Sequence, residues 1–118
     1  MAIKAGNKIT PYWYTPLSER DAPDPKTRFQ LRPLTELQRM ESAEVWVSER
    51  LDKNTRSKEI ILRFGLIGWE HFNDANGPVA FIGDPSANLE RLNDGMLINE
   101  LADEIWNGSS LTETERKN

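Results

Sequence analysis

The sequence predicts a mainly α fold: a small helical domain of about three principal helices, near residues 35–50, 56–67 and 94–107, with one or two short strands and an extended N-terminal arm. Three observations predict it. The stretch Ser57–Phe72 is the most apolar in an otherwise polar chain, and it opens with helical spacing. Leu97, Leu101 and Ile105 recur at i, i+4 and i+8, with Ile98, Ala102 and Trp106 on the neighbouring row. Thr35 has Gln38 three residues on, the capping-box pattern that starts a helix.

The expected organisation is an arm and linker over 1–27, a helical domain over 28–108 and a mobile tail over 109–118. In the arm, Tyr12-Trp13-Tyr14 forms an aromatic patch between Pro11 and Pro16, which forbid a central strand and favour an extended or edge conformation. Two readings stay open: the rings fold back onto the domain, or they dock a partner. From Thr15 to Thr27 the chain is charged and carries Pro16, Pro23 and Pro25, the composition of a loop or mobile linker. Phe29 and Leu31 alternate with Arg28, Gln30 and Arg32, which gives one short strand.

The helix that follows has a narrow apolar face of Leu37, Met40, Ala43, Val47 and Leu51, although Val45-Trp46-Val47 is β-prone enough to end it as strand. Asp52–Arg56 reads as a turn, with Thr55 or Ser57 capping the central helix. There Ile61, Phe64 and Leu66 lie on one side and Ile60 and Ile67 on the adjoining one. Gly65 and Gly68 either permit close packing or loosen the last turn. Asn76-Gly77 signals a tight reversal, Val79, Phe81 and Ile82 pair back briefly, and residues 88–92 form one helical turn. Asn93 or Asp94 opens the last helix and Gly108 is placed to end it. Beyond it, Ser110 with Glu113 and Thr112 with Glu115 are two further helix-start patterns.

Composition limits the function. At 118 residues, 37% hydrophobic and 29% charged, the chain fits one domain with a modest core, burying roughly two-thirds of its unfolded surface. A net charge of −4 argues against a dedicated nucleic-acid binder, which needs a basic face to displace counterions. With no cysteine, disulfides, thiolate metal sites and thiol nucleophiles are all excluded. No apolar run approaches the roughly twenty residues that span a bilayer, and the first residues lack the apolar middle of a signal peptide, so a soluble cytoplasmic protein is expected.

No catalytic, cofactor-binding or metal-ligating residue stands out. His71 is the single histidine; beside Trp69 and Phe72 it reads as a packed or capping imidazole rather than a base. Asp74-Ala75-Asn76-Gly77 resembles the opening of a calcium loop, but Pro78, Ala80 and Ile82 stand where oxygen ligands are required. Glu100, Asp103 and Glu104 share a helical face, and such a row is ordinarily solvated. The expectation is therefore a binding protein with no cofactor. Of four tryptophans, Trp69 and Trp106 lie beside strong apolar stripes and read as core. Tyr12, Trp13, Tyr14 and Trp46 remain as the candidate partner-binding residues, since such side chains dominate binding hot spots.

Several segments together resemble the tail assembly chaperones of long-tailed, siphovirus-type bacteriophages. They are Ile9–Pro16, Arg28–Thr35 leading into a Met/Glu helix, Gly65–Asp74 followed by Gly77–Phe81, and Leu97–Ile105 ending in Ser110–Glu113 and Lys117-Asn118. The resemblance implies a small helical protein of the host cytoplasm that coats the tape measure protein, the helical ruler of the tail, until tube subunits polymerise round it. It also implies a longer product made by −1 ribosomal frameshifting, whose added domain recruits tail tube protein. Arg116-Lys117-Asn118 suits an A-rich slippery run, and codons for Lys117 and Asn118 that break a homopolymer would remove that expectation. Homo-oligomerisation is compatible with the role; nucleic acid and membrane are not expected as partners. The alternatives are a structural head–tail connector or tail terminator of the virion, and a small inhibitory or regulatory phage protein.

Overall fold

Alternation at Arg28–Leu31 does make a strand, and the rest of the sheet is built on it. The computed structural model describes residues 10–48 and 55–110. Strand β2 (Arg28–Leu31) lies between β1 (Tyr12–Tyr14) and β3 (Leu66–Glu70), antiparallel to both. A short hairpin of β4 (Asn73–Asp74) and β5 (Gly77–Pro78) follows. The helices are α1 (Glu36–Ser48), α2 (Thr55–Gly65), α3 (Pro85–Glu90) and α4 (Gly95–Ser110). The chain is thus a mixed α/β protein, which corrects the mainly α expectation.

The missing strand was β3. Phe29 pairs with Trp69 and Gln30 with Gly68, but Leu31 pairs with Leu66, so Ile67 is an extra residue in the ladder. That bulge places the two buried side chains, Leu66 and Trp69, three residues apart instead of two or four. A spacing of three imitates a helix, and Leu66 and Ile67, expected to finish the central helix, are strand. The central helix stops at Gly65 because Arg32 takes over its last carbonyls. The Arg32 backbone N–H donates to Gly65 O (2.8 Å) and Nε donates to Phe64 O (2.7 Å).

One face of the sheet carries Tyr12, Tyr14, Phe29, Leu31, Leu66 and Trp69 toward Ile61 and Leu62 of α2 and Leu101, Ala102 and Ile105 of α4. Helix α2 packs against both α1 and α4. At Gly65 α2 and α4 approach closely, since a Cβ built there lies 2.5 Å from Ile105 Cγ2. Of the two roles foreseen for this glycine, close packing is the one observed. Trp69 anchors an edge-to-face cluster with Phe29, Phe72 and Phe81, and its Nε1–H donates to Val79 O (2.7 Å).

The caps largely follow the sequence. Thr35 and Gln38 form the reciprocal box, Gln38 N–H to Thr35 Oγ1 at 3.2 Å and Thr35 N–H to Gln38 Oε1 at 3.0 Å. Asp94 Oδ1 accepts from the N–H groups of Met96 and Leu97 at the start of α4. Asp84 does the same for α3, a cap that was not foreseen, since the helical turn expected at 88–92 begins earlier, at Pro85. Gly77 takes the left-handed backbone the reversal needs, with φ 121°.

Several expectations are corrected. Gly108 does not end the last helix, which continues to Ser110; its bare Cα instead admits the Tyr12 hydroxyl, 3.3 Å from where a Cβ would be. Residues 45–47 are helix, not strand. Leu37 and Met40 do not face the core: they are 78% and 60% exposed, while Ser42 is buried. Ser57 is not a cap; its hydroxyl meets that of Ser42 at 3.1 Å and donates to Ser42 O at 3.3 Å, which joins α2 to α1. The Thr15–Thr27 segment is pinned to the domain, with Pro16 fully buried. Glu19 Oε1 accepts Thr27 N–H (3.2 Å), Lys26 donates to Arg20 O, and Thr27 Oγ1 donates to His71 O (2.7 Å). The side chains of Val47 and Leu51, the turn at 52–54 and the tail beyond Ser110 lie outside the described residues.

Candidate partner-binding surfaces

The four aromatic residues singled out by the sequence do not form one patch. β1 is an edge strand whose alternation sends Tyr12 and Tyr14 to one face of the sheet and Trp13 to the other. Tyr14 OH donates to Glu100 Oε2 at 2.6 Å, and the same oxygen accepts Leu17 N–H at 2.9 Å. Tyr12 OH donates to Glu104 Oε1 at 3.2 Å. Burial and the neighbouring Glu100 carboxylate push the Tyr14 phenol far above its ordinary value. Both tyrosines are therefore engaged in fastening β1 to α4. The carboxylate row expected to be a solvated face supplies their acceptors, a pairing across 86 and 92 residues that no local pattern reveals.

Trp13 remains 42% exposed on the outer face of the sheet. The Arg28 guanidinium lies 5.1 Å from its ring centroid and also pairs with Glu70. Gln30 and Gly68 follow Trp13 across the sheet in register. Trp46 lies in α1 with its side chain outside the described residues. Trp69 is core, whereas Trp106 is only half-buried, with the Arg39 guanidinium over its ring at 4.9 Å.

The residues weighed for chemistry have other uses. His71 is exposed, not packed; it holds the positive φ of 54° that turns β3 toward the hairpin, and its carbonyl oxygen accepts from Thr27. Asp74 Oδ1 accepts Asn76 N–H (2.8 Å) and Oδ2 pairs with Arg91. Both contacts hold its carboxyl below the usual range, the Asn76 N–H first and then Arg91. This is turn chemistry, not a calcium loop. Among the described residues no three His, Asp or Glu side chains are grouped to hold a metal ion. Nor is any described helix long and apolar enough to cross a membrane.

Concave surfaces among the described residues were not foreseen, and two bear on binding. A groove of about 260 Å³ lies between the helices, lined by Ala43, Ile61, Ala102 and Trp106, with Lys58 and Asp103 beside them. A second, of about 390 Å³, opens between the pinned 15–27 segment, Phe72 and the start of α4. Pro16, Phe29, Phe72 and Leu97 supply its apolar lining, and Glu19, Asp94 and Glu100 its carboxylates. Met96, 84% exposed, lines it too, and Leu17, 61% exposed, sits between two of its lining residues. The signal in the sequence was Met96, an apolar residue one position off the stripe of α4 and so left without a core role. No family model, curated protein or solved structure matches the chain.

Proposed function

We propose that this chain binds another polypeptide and performs no catalysis, as a tail assembly chaperone of a long-tailed phage. In this reading it works in the host cytoplasm and holds the tape measure protein soluble until tube subunits polymerise round it. A frameshifted longer product brings in tail tube protein. The resemblance of residues 9–16, 28–35, 65–74, 77–81, 97–105 and 110–113 to that family supports the assignment. The observation that carries the binding part is the groove of about 390 Å³, lined by both apolar residues and carboxylates, with Leu17 and Met96 exposed beside it. A holdase for a long amphipathic helix requires apolar surface of this kind, with many modest contacts in place of one sharp pocket.

The test is co-expression with the cognate tape measure protein. The expected outcome is tape measure protein in the soluble fraction, co-purifying with this chain, and insoluble without it. Mass spectrometry of purified virions should lack the chain. A tape measure protein that stays insoluble overturns the chaperone assignment. Stoichiometric incorporation into virions gives the head–tail connector or tail terminator reading instead.

A further inference from the structure

Resting on the reading of the chain as a polypeptide-binding protein, we infer that the groove beside the start of α4 receives a lysine or arginine side chain borne on an apolar segment of the bound polypeptide. Charge makes the selection. Three carboxylates line this groove, from Glu19, Asp94 and Glu100, and no Lys, Arg or His does. Each is already oriented by donors on one oxygen. Glu19 Oε1 takes Thr27 N–H (3.2 Å), Asp94 Oδ1 takes Met96 N–H (3.0 Å), and Glu100 Oε2 takes the Tyr14 hydroxyl (2.6 Å). Among the described residues none of the three is within ion-pair distance of a basic group.

The floor suits the same occupant. The part-buried rings and methyls of Phe72 and Leu97 offer apolar surface for the methylene stem of a long cationic side chain, whose charged head then reaches the carboxylates that line the same groove. Leu17 and Met96 are exposed where the flanking apolar residues of the segment would lie. The inter-helical groove has no such preference, since it carries one Lys and one Asp. An acidic segment would be repelled here and a neutral one would leave the carboxylates unpaired.

Amide-resolved NMR titration with three synthetic amphipathic helical peptides tests this: one with leucines and lysines, the others with every lysine replaced by glutamine or by glutamate. The lysine peptide should shift the amides of Ser18, Thr27, Asn73, Met96 and Leu97, and added salt should weaken it. The glutamine peptide should bind on the order of tenfold more weakly, the combined worth of two partly exposed ion pairs, and the glutamate peptide not at all. Glu19→Gln with Asp94→Asn keeps the shape and the helix cap and should cost the lysine peptide about the same factor. Met96→Arg, at a side chain with no packing role, supplies the groove with its own cation and should also weaken binding.

Equal affinity for all three peptides, shifts confined to another surface, or variants that bind as wild type would each overturn the inference. The two readings fail separately. If the variants lose the lysine peptide yet still solubilise the tape measure protein fully, the groove is not the contact and the chaperone assignment stands. If wild type binds the lysine peptide in the groove but leaves the tape measure protein insoluble, the assignment falls and the groove's preference stands.

Discussion

Replacing Gly65 with alanine tests whether the approach of α2 to α4 sets the geometry of the core. The new Cβ would lie 2.5 Å from Ile105 Cγ2, 2.7 Å from Cδ1 and 3.0 Å from Cγ1, roughly 1 Å inside ordinary carbon contacts. Ile105 is fully buried and branched at Cβ, so it cannot swing its near methyl away without moving α4. Overpacking costs about 1–3 kcal/mol, and two contacts this short to a fully buried side chain put it in the upper part of that range, about 2–3 kcal/mol, against which Gly→Ala returns about 0.5–1 kcal/mol through the backbone. The expected net loss is about 1–2 kcal/mol, or a Tm lower by about 4–8 °C at this chain length. Urea unfolding followed by tryptophan fluorescence should show the midpoint shift with an unchanged slope. Ile105→Val removes Cδ1, the atom at 2.7 Å. Alone it should cost about 0.5–1.5 kcal/mol, and in the Gly65→Ala background distinctly less. A Gly65→Ala protein as stable as wild type would refute the close approach.

Alkaline pH should loosen the β1 attachment. The folded state favours the protonated Tyr14 phenol, so its contribution is full below about pH 10, the ordinary tyrosine value, and is lost as pH rises beyond it. Thermal melts of wild type and Tyr14→Phe between neutral and strongly alkaline pH should therefore differ most at neutrality and converge upward. Ser42→Ala should cost about 1–2 kcal/mol by stranding its buried partner Ser57, while the double alanine variant should cost less than the sum of the singles in urea titrations. Trp69→Ala should cost at least about 3 kcal/mol, since it removes the centre of the aromatic cluster and the donor to Val79 O. Trp13→Ala should leave the melting temperature within about 3 °C of wild type, because that ring lies outside the core, yet reduce tape measure solubilisation if the outer sheet face takes part.

Much of the chemistry that acts over a few residues was legible in the sequence, although Gly108 as a helix end and Ser57 as a cap were not. The Thr35–Gln38 box, the Asp94 cap, the stripe Leu97–Leu101–Ile105 and the reversal at Gly77 all stand as read. What failed depends on partners distant in the chain. The sheet was hidden because β1 is three residues between prolines and β3 carries a bulge that disguises its period. Helix α1 turned the other way because the side chain that meets α2 is a serine, Ser42, whose partner Ser57 is also polar, so hydrophobic spacing pointed to Leu37 and Met40. The candidate groove escaped for a similar reason. Its carboxylates come from two distant segments, and only the folded chain brings Glu19 to the same opening as Asp94 and Glu100 at the start of α4.

The two tyrosine–carboxylate contacts tie the beginning of the described chain to its final helix. Synthesis supplies Tyr14 some 86 residues before Glu100, an interval of roughly 4–17 s at ordinary rates of elongation. Strand β1 thus waits for α4 before both of its tethers exist. A nascent chain halted anywhere short of Glu100 keeps β2 as the neighbour of β1 but lacks the latch, so lesions in the codons of α4 should register at β1.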